Sequence, residues 1–109
     1  MKQTASGERI VLVTTGSMSE ARRIGRALVE EKLAACANLI SDVRSIYRWQ
    51  GKVCDDPEVL MIVKTTARRY GDLERRVREL HSYDVAEVVS VSIVEGSAPY
   101  LKWLRGCVR

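Results

Sequence analysis

The chain has 109 residues, with 18 basic and 14 acidic side chains and a formal charge of +4. That length fits one domain with a real core, and 46% hydrophobic with 29% charged residues is a globular balance rather than a disordered one. No stretch approaches the ~18 apolar residues of a membrane span, so no membrane partner is expected. The mild basicity permits anionic partners without requiring nucleic acid.

Residues 1–8 are polar, have no apolar run, and are expected as a mobile tail rather than a secretory signal, leaving one domain over 9–109. Cys36, Cys54 and Cys107 are odd in number and widely spaced, which suits reduced thiols and a cytoplasmic setting. Phenylalanine is absent, so Val, Ile, Leu, Trp and Tyr must fill the core.

The run Arg9 to Thr15 is β-branched and apolar, the pattern of a buried strand. Ser17-Met-Ser-Glu20 follows as a capping box and predicts a helix to about Leu33, with Ala21, Ile24, Leu28 and Glu31 on its core stripe. Cys36 to Trp49 reads as extended, with Val43, Ser45, Tyr47 and Trp49 on one face. Gln50-Gly51 marks a turn. Val59 to Thr65 is apolar on both faces until Lys64, as in a central strand.

A second helix is predicted over Ala67 to His81, with Ala67, Tyr70, Leu73, Val77 and Leu80 on its stripe. Its acids stand at i,i+4 to its bases, as Asp72 to Arg76 and Glu74 to Arg78. A half-buried strand follows over Val85 to Val94, and then a terminal helix capped by Ser97 with Pro99 in its first turn. Tyr100, Trp103 and Leu104 are expected on that helix's buried face. The order predicts an α+β fold, a ferredoxin-like split βαβ sandwich with two helices on one sheet face, an extended hairpin and a C-terminal helix. The hairpin is longer than the other strands can cover, and its aromatic tip, Tyr47 and Trp49, reads either as a contact with another chain or as folded onto its own helix.

Five segments carry a resemblance. Glu31 to Cys36 with Asn38, Ser45-Ile-Tyr47-Arg-Trp49-Gln-Gly51-Lys52, Lys64-Thr65, His81-Ser-Tyr83-Asp-Val-Ala-Glu87 and Tyr100-Leu-Lys-Trp103-Leu lie in this order over about residues 9 to 105. Together they resemble the CutA family of divalent-cation tolerance proteins. The resemblance implies a homotrimer, similar in architecture to PII-type signalling proteins, with roles in copper tolerance and, in animals, in anchoring a membrane enzyme. It places Tyr47, Trp49 and Trp103 at the trimer interface. Ser82 and Ala86 stand where the family usually has proline, which bears on how firmly the turn between His81 and Glu87 is set.

His81, the single histidine, can coordinate copper(II) or another divalent cation with Glu87 as an oxygen partner; otherwise it caps a helix C-terminus. Cys36 is a soft ligand as a thiolate and a small core residue otherwise. Lys64, with Tyr83, is expected either at an anion- or metal-linked cleft between subunits or in an ion pair with Glu87. Adjacent Asp55 and Asp56 point to opposite faces of a strand and make a poor acid/base pair. No nucleophile elbow, P-loop or zinc-protease motif occurs, so no enzyme and no obligatory cofactor are expected. The helix arginines, offset by acids, read as a solvated face. Two functions follow from the sequence: a trimer binding divalent ions weakly at a subunit boundary, or a PII-like module binding a small anion or a protein without metal.

Overall fold

The computed structural model describes residues 7–109. Its elements are β1 (Glu8–Thr15), α1 (Met18–Glu30), β2 (Cys36–Trp49), β3 (Lys52–Thr66), α2 (Tyr70–Leu80), β4 (Val88–Ser92) and α3 (Ala98–Cys107). One antiparallel sheet runs β2-β3-β1-β4, the split-βαβ order expected. The tail expected over 1–8 lies outside the described residues except for its end, where Glu8 already belongs to β1 and is buried. Among the described residues no helix is long and apolar enough to cross a membrane.

Alternation decides which sheet face carries the core. Val11 and Val13 of β1 and Val59, Met61 and Val63 of β3 point to one side and are buried. Ala21, Ile24 and Leu28 of α1 and Leu73 and Val77 of α2 close over them. Each such aliphatic contributes about 1.5–3 kcal/mol through burial. Gly25 lets α1 approach closely, since a methyl there would stand 3.3 Å from the Cβ of Ala37 on β2.

The helix ends differ from the sequence expectation for identifiable reasons. Lys32 adopts a left-handed φ of 63°, and the Leu33 amide reaches back to the Leu28 carbonyl at 2.9 Å while the Lys32 amide bonds that of Val29. This is a Schellman terminus, and it turns Leu33 into the core. α1 therefore stops at Glu30 rather than Leu33. α2 starts at Tyr70, not Ala67, because the Ala67 amide is held by the Gly7 carbonyl at the end of the β1–β3 ladder.

The opposite sheet face carries Ile10, Leu12 and Thr14 of β1, Leu60, Ile62 and Lys64 of β3, and Val89 and Val91 of β4. α3 covers one end of it, tied by Arg105 to Glu8 at 2.9 Å and anchored by fully buried Leu104. The rest is open. Val89 and Val91, expected on the buried side of their strand, are exposed, and β4 spans only Val88–Ser92 rather than Val85 to Val94. Tyr100 and Trp103 are also exposed, so Leu104 alone forms the buried face of α3.

The hairpin is as long as the sequence implied. β1 pairs with β3 only from Val59 onward, so Lys52 to Glu58 is paired with β2 alone. Gln50 and Gly51 both have positive φ, the requirement of a two-residue type I′ hairpin. A bulge between Ile40 and Val43, with Asp42 at φ 64°, puts two residues of β2 against one of β3. It shifts the alternation by one residue. Val43, Ser45, Tyr47 and Trp49 thereby share the side of Cys36, Asn38 and Ile40.

Candidate functional site

Two groups of the expected site residues form, at opposite ends of the sheet. Cys36 is the register partner of Lys64. The Lys64 ammonium donates to the Asn38 side-chain oxygen, and the Cys36 sulfur lies 3.9 Å from the Tyr100 hydroxyl on α3. Trp103 stacks beside Tyr100, with ring centroids 5.4 Å apart.

The second group surrounds a cavity of about 680 Å³ between the hairpin and residues 83 to 87. Its walls include Tyr47, Trp49, Glu58, Tyr83, Asp84 and Glu87. Tyr47 donates to Asp56 at 2.6 Å and Tyr83 to Glu58 at 2.9 Å. The hydrogen bond to Asp56 holds the Tyr47 phenol well above its ordinary range. Burial, followed by the bond to Glu58, pushes Tyr83 up to about 12. Asp55 points away from this pair to Arg44, 2.9 Å distant, as strand alternation requires.

Lys64 does not reach Glu87 or Tyr83. Six residues of strand separate it from Glu58 at the cavity, about 20 Å at ~3.3 Å per residue. The expected ion pair of Lys64 with Glu87 is therefore absent within the chain, where Asn38 takes the ammonium instead.

His81 lies behind the cavity, with a fully buried side chain. Its Nε2 donates to the Thr14 carbonyl at 2.7 Å, and its Nδ1 accepts the Tyr83 amide at 3.0 Å. A carbonyl can only accept and an amide N–H only donate, which assigns the Nε2–H tautomer. Both ring nitrogens are thus engaged, and the imidazole has no lone pair free for a metal as it stands. The partners of the His81 ring are Thr14, Tyr83 and Glu20, and Glu87 is not among them. Among the described residues, no three His, Cys, Asp or Glu side chains converge as an ion site.

Glu20 is the residue that sequence reasoning missed. Its carboxylate does not close the capping box. Ser17 accepts from the Glu20 amide at 3.2 Å as expected, but the carboxylate accepts from the Ser82 amide at 2.7 Å and stands 3.6 Å from His81 Nδ1. Burial raises its pKa, yet the hydrogen bonds from Ser82, with a smaller one from the Gly16 backbone, outweigh burial and hold it below its ordinary value. The bond from the Ser82 amide to the buried Glu20 carboxylate ties the turn after α2 to the first turn of α1. No local signal in the sequence marks a contact between residues 62 apart.

The arginine face of α2 is salt-bridged, as expected, though mostly at i,i+3: Arg69 and Arg75 meet Asp72, and Arg76 meets Glu79. Glu74–Arg78 keeps the i,i+4 spacing at 3.8 Å. Arg76 also takes both oxygens of Glu31, at 2.9 and 3.0 Å, tying α2 to the end of α1.

Residues 9–107 match the family model of the CutA1 divalent ion tolerance protein. The divalent-cation tolerance protein CutA of Thermus thermophilus is 51% identical over 98 residues, covering 90% of this chain and 95% of that protein. A solved structure of the divalent cation tolerance protein from Thermus thermophilus superposes with a TM-score of 0.92 at 49% identity, covering 94% of this chain and 99% of the other. Protein CutA of Homo sapiens is 46% identical over 93 residues, 85% of this chain. The chain spans about half of that longer human protein, 52% of its length.

Proposed function

This chain belongs to the CutA1 divalent ion tolerance family, and we propose that it acts as a homotrimer that binds divalent cations weakly at a cleft between subunits. In this reading it is a cytoplasmic binding protein, not an enzyme. The observation that carries the reading is the separation of the two polar groups. A soft thiol, Cys36, sits about 20 Å along the sheet from the carboxylate of Glu58, which lines one cavity with Glu87. They can serve one ion only when a second copy brings its own group alongside.

The open sheet face supports such assembly. Leu12, Ile40, Leu60, Ile62, Val89 and Val91 leave an apolar surface that a second copy would cover. Tyr47, Trp49 and Trp103 are 42–47% exposed around its ends, the residue types that anchor interfaces. Copper(II) is the ion expected to bind most tightly, following the general order for nitrogen and oxygen donors. His81 would join only by releasing the Tyr83 amide, which keeps affinity low. Three free cysteines suit a reducing cytoplasm.

Sedimentation tests the assembly: a single chain of 12.3 kDa at micromolar concentration would end the trimer reading. Calorimetric titration of copper tests the site. Glu87→Gln and Cys36→Ser should each weaken binding, and isotherms unchanged in both would overturn it. A second reading, a PII-like module that binds a small molecule without metal, is favoured by the cavity itself, whose volume is in the usual range for small ligands.

A further inference from the structure

We propose that the outer face of the helical layer, α1 with α2, binds inorganic polyphosphate. The proposal needs no metal, and it concerns a surface that assembly leaves in solvent. The apolar sheet face that a second copy would cover lies on one side of the sheet, and the two helices pack on the other. Residues 17–34 and 67–82, which build the layer, carry nine basic and six acidic side chains, so three of the chain's four net positive charges reside there.

The pairing within the layer is uneven. Glu20 is buried and takes the Ser82 amide. The other five acids each stand within 3.8 Å of Arg26, Arg69, Arg75, Arg76 or Arg78. Arg22, Arg23, Lys32 and Arg68 are exposed, and among the described residues none of the four makes an ion pair. Arg22 and Lys32 are ten residues apart, about 15 Å along the axis of α1. The start of α2 lies beside the end of α1, where Leu33 and Arg69 border one depression, so the segment of Arg68 meets that of Lys32. The four free cations therefore form a strip along the layer.

This strip offers charge and little else. Tyr70 is the one tyrosine of the two helices, which hold no tryptophan, and it packs on the core with its hydroxyl on the Val88 carbonyl. No ring is left to stack on a nucleic-acid base. Val29 is the layer's single exposed large apolar side chain, too little to seat in a bilayer or to form the apolar centre of a protein interface. Three of the four cations are guanidiniums, whose planar fork matches phosphate oxygens better than an ammonium does. Polyphosphate places its charges with no sugar or base between them, and so brings the most charge to a strip of this length.

The test uses the full chain in its native assembly and a linear polyphosphate of defined length, titrated by calorimetry at several salt concentrations. Orthophosphate, oligothymidylate and polyglutamate, at matched total charge, are the comparison ligands. The expected result is saturable binding of polyphosphate, at least about tenfold tighter than any of the three, that weakens with salt. Each phosphate neutralised on a single-stranded polyanion contributes about −0.7 to the slope of log affinity against log salt, so four contacts give about −3. Arg22→Gln combined with Arg23→Gln, and Lys32→Gln combined with Arg68→Gln, should each bring the slope to about −1.4 and weaken binding. All four positions are exposed, and far-UV circular dichroism checks that the variants keep the fold. A slope and affinity unchanged in both double variants overturn the proposal, as does the absence of binding. Equal affinity for oligothymidylate overturns it in favour of nucleic acid, and equal affinity for polyglutamate in favour of an acidic protein segment.

Discussion

Replacing His81 by alanine tests the account of the 81–84 turn. The imidazole is fully buried and makes two hydrogen bonds, 2.7 Å to the Thr14 carbonyl and 3.0 Å from the Tyr83 amide. Each buried bond contributes about 0.5–1.5 kcal/mol net, and orphaning its partner costs at least as much. The ring also lies 4.7 Å from that of Tyr83, a contact worth about 0.5–1.5 kcal/mol. The two bonds and the ring contact together amount to about 1.5–4.5 kcal/mol of lost stability. Denaturant unfolding of wild type and His81→Ala at the same chain concentration measures it, since assembly makes apparent stability depend on concentration. His81→Gln keeps one donor and one acceptor and should recover part of the loss. A His81→Ala protein within ~0.5 kcal/mol of wild type would refute the claim that His81 pins the turn to β1.

Three further outcomes are expected. Glu20 has a folded pKa below its ordinary 4.5, so its contribution is complete above that value and is lost as pH falls through the lower folded one. Stability–pH curves of wild type and Glu20→Gln should therefore converge under acid, and parallel curves would contradict the assignment. Ile24→Ala empties a fully buried core position and should cost about 2–5 kcal/mol by urea denaturation; a loss below about 1 kcal/mol would mean the core is not packed as described. Trp49→Ala should shift sedimentation toward smaller species if its exposed ring anchors a neighbouring copy, and an unaltered profile would place Trp49 outside the interface.

Local chemistry in the sequence was enough to determine the elements. β-branched runs, the Ser17 and Ser97 caps, the Gln50-Gly51 turn and the stripes of α1 and α2 each depend on neighbours a few residues away. Those signals set the element order and hence the split-βαβ sheet. The five motifs, in order, pointed to the family that the comparisons then established. The exposed length of the hairpin was legible too, since β2 and β3 outrun β1 in residue count alone.

What the tertiary structure decided rests on contacts between residues far apart in the chain. The bulge at Ser41–Asp42 sets which face Tyr47 and Trp49 share, and a single inserted residue reverses every side chain beyond it. The Ala67 amide stays with the sheet because Gly7 offers it a carbonyl, which delays α2 by a turn. Glu20 leaves its own helix for Ser82, whose amide lies 2.7 Å from the carboxylate once α1 and the end of α2 are packed together. His81 loses both nitrogens to Thr14 and Tyr83, and Lys64 is held a sheet's length from Glu87. Residue spacing along a chain fixes neighbours within a turn or a pleat; it does not fix which polar groups meet once the layers close, and that meeting placed the carboxylates and aromatic rings around one cavity.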